Sequence, residues 1–410
     1  MVNLYIFNES NRATEYGIGT YIRELTTALR NSDINVCIIN LKQDITRIKT
    51  ENIEGIEYWS FPAPIVSLWV TSSAKQNELY YRNIVFLLRL YIADKKNLIF
   101  HLNYYRCGKL AEDLKQTFDC RIVTVTHFFE WGSMVYDNLK RLRFILKEKC
   151  PAGTDASLIQ SVQEEKAFFS QADRIVCVSK YMQKIIKQDY GIKTHKIVFI
   201  PNGLADSTIA SCDRQALRQK WNIPDQEKII LFAGCMDEMK GTGYLIKAFR
   251  EVLQVYSQCR LVIAGGGAFE TYTKETREIC TKVTYTGFLD RTQLYEWYRL
   301  SDIGATPSLF ESFGYVAVEM MMHELPVVAT ATSGLNEVVD ESCGYKIPLM
   351  ETADSIDIDT TLLSDKMLYL LQHPNEARQM GRNGRARYLK KYASEVFRRN
   401  MIELYKDVSK

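Results

Sequence analysis

Residues 302–330 read DIGATPSLFESFGYVAVEMMMHELPVVAT. DIGATPS is a strand with a small-residue end, GYVAVEMMMHELP is a helix starting near Gly314, and LPVVAT returns to strand. Strand, helix and strand in so short a stretch make a βαβ unit, and such units build parallel sheets.

The same alternation extends in both directions. Strand candidates in the first half are LYIF, NVCIINL, LIFHLNY, RIVTVTH, RIVCVS and KIVFIP. In the second half they are KIILFAG, RLVIAGG, KVTYTG, DIGATP, LPVVAT and GYKIP. Val, Ile and Leu run on without strict alternation, as in strands covered on both faces. The series breaks at 201–227, where Pro201, Gly203 and Pro224 stand among residues of little strand character. The expected fold is α/β: two doubly wound, Rossmann-like parallel sheets facing a cleft, with residues 1–203 in the first domain and 204–390 in the second. The stretch from about Asn375 reads as helix, its many Arg and Lys forming a solvated face, and 391–410 is a terminal helix.

At 410 residues the chain is too long for one ordinary core. It is 46% hydrophobic and 25% charged, which is ordinary for a globular protein. A net charge of +3 gives no support for nucleic acid as a partner. The ten cysteines contain no C-x-x-C pair, and several sit in strand-like runs such as INVCIINL, so reduced thiols in a cytoplasmic setting are expected. MVNLYIFNES reads as a strand beginning at once, not as a signal peptide. The most apolar run, NIVFLLRLYIADKK, is broken by Arg89 and too short to span a bilayer.

Ligands of doubly wound sheets bind at the carboxyl ends of strands, which directs attention to the loop after DIGATP. A helix start at Gly314 presents free N–H groups and the positive end of the helix dipole. Glycine there lets an anion approach the backbone, and a diphosphate is the natural occupant. Glu311, just before the helix, can reach a hydroxyl on whatever the phosphate carries. Glu319, about 7–8 Å along the axis, can accept hydrogen bonds from a ribose. In the plainer alternative Glu311 caps the helix and Glu319 is solvated. A hydrolase pair would need two carboxylates about 5–10 Å apart across a sugar, but it gives no role to the helix start between them.

Other elements stand in similar places. FAGCMDEMKGTG puts Lys240 before a helix, either beside the phosphates or as a surface lysine. Gly265 to Gly267 close another strand without matching G-x-G-x-x-G, so a dinucleotide fingerprint is not supported. Gly17 and Gly19 precede a helix whose Ile22, Leu25 and Leu29 recur at helical spacing. His127 ends a strand, as a structural residue or facing the cleft. In YDNLKRLRFILKEK, Leu139, Leu142, Ile145 and Leu146 share one face, with Lys140, Arg141, Arg143, Lys147 and Lys149 around it. Residues 138–149 either lie on an anionic membrane surface or pack on their own domain.

Taken in order, the glycine loop after the first strand, His127 in VTH, QADRIVCVSKYM, IPNG, LFAG…KG, YTGFLD and PSLFESFGYVAVEMM…PVVAT resemble the retaining nucleotide-sugar glycosyltransferases of family 4, with the GT-B fold. The resemblance covers nearly the whole chain, and its E-x7-E segment with Phe-Gly is the most specific part. It implies transfer of a sugar from a nucleoside diphosphate, UDP ahead of GDP, to a glycan or lipid-linked acceptor, with no metal and no cofactor. The protein would be cytoplasmic, touching the membrane face at most through 138–149. The first domain would take the acceptor and the second the donor, with the last helix crossing back to the first. Glu311 would contact the donor sugar and Glu319 the ribose. Backbone N–H groups of Phe313, Gly314, Tyr315 and Val316 would hold the diphosphate, and Lys240 would neutralise it. Gly287 and Phe288 would border the base, and Gly17 and Gly19 would floor the space between donor and acceptor. His101, Asn103 and His127 would meet the acceptor, His127 also approaching the transferred sugar. One departure is Cys235, where the family usually carries a phosphate-gripping Arg. Either Lys240 and the helix start suffice, or another basic residue has taken over, or the chain is a non-catalytic nucleotide-sugar binder or assembly protein.

Overall fold

The computed structural model describes residues 1–9, 17–64, 73–104, 107–148, 152–207, 213–352 and 355–410. The chain opens with β1 (Val2–Glu9), α1 (Gly17–Leu29), β2 (Ile34–Gln43), β3 (Lys49–Ile53) and β4 (Ile56–Pro62). It continues through α2 (Ser73–Tyr91), β5 (Leu98–Leu102), α3 (Gly108–Thr117), β6 (Cys120–Thr126), α4 (Glu130–Val135) and α5 (Leu139–Ile145). Then come α6 (Gly153–Gln171), β7 (Arg174–Cys177), α7 (Lys180–Gln188) and β8 (Ile197–Phe199). The eight strands form one sheet in the order β3-β4-β2-β1-β5-β6-β7-β8. Its pairings are parallel except β3 with β4. That pair is a hairpin turned by Glu54 and Gly55, both at positive φ (53° and 82°), the geometry that matches strand twist.

The second half adds α8 (Arg214–Lys220), β9 (Lys228–Ala233), α9 (Thr242–Val255), β10 (Cys259–Ala264), α10 (Phe269–Glu275), β11 (Val283–Gly287) and α11 (Arg291–Leu300). It proceeds through β12 (Ile303–Thr306), α12 (Tyr315–Met322), β13 (Val327–Thr330), α13 (Leu335–Val338) and β14 (Gly344–Ile347). A small ribbon, β15 (Leu349–Glu351) with β16 (Ile356–Ile358), precedes α14 (Thr360–Gln372), α15 (Pro374–Lys391) and α16 (Ser394–Val408). The six-stranded sheet has the order β11-β10-β9-β12-β13-β14 and is parallel throughout. Ile230, Phe232, Leu261 and Ile263 on one face of it pack with Leu245 and Phe249 of α9 and Leu363 and Met367 of α14. Each such side chain contributes about 1.5–3 kcal/mol on burial.

The chain divides into two units. The first holds Met1–Phe129, Ala152–Gly203 and Ser394–Lys410; the second holds residues 130–151 and 204–393. The terminal helix α16 is thus part of the first unit. There Phe397 fills the space above Gly203, where a Cβ would stand 2.3 Å from the Phe397 Cβ. Arg398 donates to the carbonyls of Ala28 and Arg30 at the end of α1.

One assignment needs correction. Residues 130–151, expected within the first domain, fold into the second unit. Tyr136 packs against that unit's core and donates its hydroxyl to Glu238 at 3.0 Å. Asn138 caps α5 and donates to the Thr352 carbonyl at 2.8 Å. The apolar face expected in 138–149 is divided: α5 has only seven residues, its Leu142 and Ile145 are fully buried, and Leu139 is half-buried and Leu146 exposed. Lys149 lies outside the described residues, as does 208–212 of the break at 201–227. Among the described residues no helix is long and apolar enough to cross a membrane.

Candidate functional site

In the second sheet the chain starts at β9, winds outward to β11, then returns to lay β12 on the other side of β9. The carboxyl ends of β9 and β12 therefore flank a topological switch point, where loops diverge and leave a crevice. The β9 loop carries Lys240 and the β12 loop carries Glu311. Lys240 Nζ lies 2.6 Å from Glu311 Oε2. Burial alone would lower the Lys240 ammonium's pKa, but the Glu311 carboxylate and then Asp237 outweigh it and leave it raised.

Both loops are fixed from below. Asp237 Oδ1 accepts from the Lys240 N–H at 2.8 Å, and Leu309 N donates to Met239 O at 2.8 Å, stitching one loop to the other. Thr330 and Thr332, at the end of β13, donate to the carbonyls of Ser308 and Leu309. Gly334 N donates to Glu311 O at 3.0 Å. Gly314, at φ 100°, turns the chain into α12. Gly234, Lys240, Ser308, Glu311, Gly314 and Val316 line a small cavity there. A larger cavity of about 270 Å³ lies at the opposite, amino ends of the strands. Its Arg214 is engaged by Leu300 O and Asp302, and Lys228 by the same carboxylate.

The remaining donor candidates surround the same end of the sheet. Glu319 lies on α12, and Oε2 accepts the hydroxyl of buried Tyr298 at 2.8 Å. Burial and the Glu319 charge push that hydroxyl's pKa far up, so it stays a donor that fixes the carboxylate. Phe313 has its ring buried against Tyr315 and Tyr392, so only its backbone is offered to a ligand. Phe288, 72% exposed, sits against Gly266, where a Cβ would be 2.3 Å from the ring. Gly287 beside it has open space above its Cα. Cys235 is half-buried and brings no cation to the loop.

In the first unit His127 ends β6, half-buried, with Nε2 3.0 Å from Asn103 Oδ1. The Asn103 amide is oriented by its Nδ2, which donates to Phe7 O at 3.0 Å. Its oxygen therefore accepts, Nε2 carries the proton, and Nδ1 keeps a lone pair. Burial, with a smaller push from His101, holds the His127 imidazole neutral, at about 3. Asn103, expected at the acceptor, is buried and positions His127 instead. His101 is also corrected: it is fully buried in the middle of the sheet, 2.8 Å from the Tyr405 hydroxyl. Burial brings it to about 3, so it is a neutral core residue. Gly17 and Gly19 open α1, and residues 10–16 before them lie outside the described residues.

The family model described as Glycosyl transferases group 1 matches residues 213–387, and the one described as Glycosyltransferase Family 4 matches residues 16–207. The chain belongs to the family 4-like glycosyltransferases. An uncharacterised glycosyltransferase of Methanocaldococcus jannaschii is 30% identical over 173 residues, 40% of this chain and 44% of that one. The chain spans about half the length of the curated relatives it matches. Among solved structures, a sucrose-phosphate synthase from Thermosynechococcus elongatus superposes with a TM-score of 0.79 at 21% identity, covering 100% of this chain and 99% of that one. The Anabaena protein HepE, in complex with UDP and glucose, gives 0.73 at 15% identity over 99% and 100%. At such identities the likeness establishes the fold.

In the second unit, Asp137 is a polar residue near the site that the sequence did not single out. It is buried in the turn after α4, at φ 58°, and accepts a hydrogen bond from Ser333 Oγ. Burial pushes its carboxyl up to about 7 against the pull of Ser333, with Glu311 and Glu351 adding to the push. A raised folded-state value means that this carboxyl supports the fold while protonated. The contribution is whole below the ordinary value of 3.8 and is lost as pH rises through about 7. Asp137→Asn should therefore gain on wild type by roughly 3 kcal/mol between pH 5 and pH 8. Denaturant unfolding of both proteins at the two pH values measures this; parallel pH slopes would show an Asp137 that stays ionised.

Proposed function

We propose that the chain moves a sugar from a nucleoside diphosphate, UDP ahead of GDP, to a glycan or lipid-linked hydroxyl, keeping the anomeric configuration and using no metal ion. The observation that carries this reading is the Lys240–Glu311 pair, 2.6 Å apart beside the glycine start of α12. It pairs a cation for a leaving diphosphate with a carboxylate for sugar hydroxyls, next to the backbone N–H groups at the start of α12. The acceptor oxygen would attack the anomeric carbon from the face the diphosphate leaves. The bond to the phosphate oxygen breaks with its electron pair on that oxygen, which takes the acceptor's proton. Lys240 and the backbone of 313–316 stabilise the charge that develops there, a contribution typically worth several kcal/mol. Glu319, held by Tyr298, takes the ribose, and Phe288 offers an open ring to the base. The first unit is assigned the acceptor, with His127 Nδ1 as a hydrogen-bond acceptor.

Thermal unfolding against a panel of nucleoside diphosphates and their sugar conjugates, with chelator present throughout, tests the donor assignment. A matched ligand at a hundred times its Kd raises folded-state stability by about 2.7 kcal/mol. If no member of the panel stabilises the protein, the assignment fails. Cys235, in place of a cationic side chain, favours a second reading, a nucleotide-sugar binder without turnover. Calorimetric binding with neither transfer nor slow donor hydrolysis would select it.

A further inference from the structure

We propose that the outward face of α2 docks on an anionic lipid surface. The inward face is ordinary: Tyr80, Tyr81, Ile84, Val85 and Leu88 are buried in the first unit. The outward face is not. Leu79 is 46% exposed, Phe86 59% and Leu90 70%. At 3.6 residues per turn these three fall within a band of about 40°, so they form one ridge along the helix. Arg82 and Arg89, seven residues apart and both exposed, run beside that ridge. Neither makes an ion pair among the described residues. Lys95 and Lys96, also exposed, follow just past the helix end. Within α2 and the five residues after it the acidic groups are Glu78 and Asp94, and Asp94 is engaged by Asn3 Nδ2 at 3.0 Å and Lys96 N at 3.1 Å.

A helix facing water on one side normally makes that side polar. A ridge of Phe and Leu edged by long cations is the pattern of a helix lying in a lipid interface. The apolar side chains enter the acyl boundary, and the guanidinium groups reach back to headgroup phosphates. Charge chooses the occupant. A second copy of the chain docked through a two-fold axis would bring the same arginine row against itself, whereas anionic headgroups complement it. The basic stretch 138–149 is a poorer candidate because α5 has only seven residues and the exposed apolar side chains among the described residues of the stretch are Phe144 and Leu146, two against the three of α2. Three apolar side chains make the contact reversible and salt-sensitive.

The full chain is sedimented with vesicles of phosphatidylcholine alone and of phosphatidylcholine with phosphatidylglycerol. Binding should need the anionic lipid and fall with added salt. Phe86→Ser with Leu90→Ser should weaken it by about tenfold, and Arg82→Glu with Arg89→Glu should abolish it. Donor-induced stabilisation should be unchanged in both, since these side chains point away from the core. Lys140→Glu with Arg141→Glu should bind like wild type. Equal binding by the α2 variants and wild type, absence of binding to anionic vesicles, or a vesicle-independent dimer broken by the same α2 substitutions would each overturn the proposal.

Discussion

Glu311→Gln should lower kcat by about a hundredfold or more while leaving the protein folded. The variant keeps the shape and hydrogen-bonding reach of the side chain but removes its charge. Lys240 then loses the carboxylate 2.6 Å away that holds it in place. The two side chains are 24% and 31% exposed, so losing the pair costs the fold little, on the order of 1 kcal/mol. In the proposed reaction the effect on turnover is larger, because a carboxylate on sugar hydroxyls and an ammonium on a departing diphosphate would both act where charge is moving. Lys240→Ala should cost a similar factor, and the double variant should lose much less than the product of the single losses. Steady-state kinetics on the four proteins, with denaturant unfolding as the control, provide the measurement. A Glu311→Gln enzyme with wild-type turnover would reduce Glu311 to a loop cap.

Much of this arrangement is legible in the sequence, and the reason is specific. The central strands β9, β10 and β13 of the second sheet stand out as runs of Val, Ile, Leu and Ala because helices cover both faces, and β11, β12 and β14 follow from the regular alternation around them. Once β9 and β12 are identified, the loops after them are the places to inspect, and Lys240 and Glu311 follow. β3 is not legible in this way. KTENI is an exposed edge strand whose charges blunt the sheet, and its one clue is the Glu-Gly turn into β4. His101 misleads for the opposite reason. In a strand buried on both faces, a histidine has no surface to reach, so LIFHL already favours a core residue over a contact. Tyr298 and Asp137 carry no local signal. Their roles arise from approaches to Glu319 and Ser333, 21 and 196 residues away. The move of 130–151 into the second unit is similarly silent, since apolar periodicity says that Leu142 and Ile145 are buried but not against what.

Gly241→Ala should be the most damaging single-methyl change near the site, reducing both stability and turnover. Gly241 has φ 70°, and a Cβ there would stand 1.8 Å from the carbonyl oxygen of Pro307. That oxygen belongs to backbone at the end of β12, so it cannot swing aside as a side chain would. The left-handed conformation costs an alanine about 1–2 kcal/mol, and forcing the loops apart adds about 1–3 kcal/mol. The same displacement separates Lys240, one residue before, from Glu311, four residues after Pro307. A shift of about 1 Å at such a pair can cost a hundredfold in rate. Gly55→Ala is the matched control: φ is 82°, but nothing lies within 4 Å of the added methyl. It should show the conformational cost alone and keep full turnover. Denaturant unfolding and kinetics of both variants separate the terms, and equal behaviour of the two would mean that the Pro307 contact does not hold the loops in register.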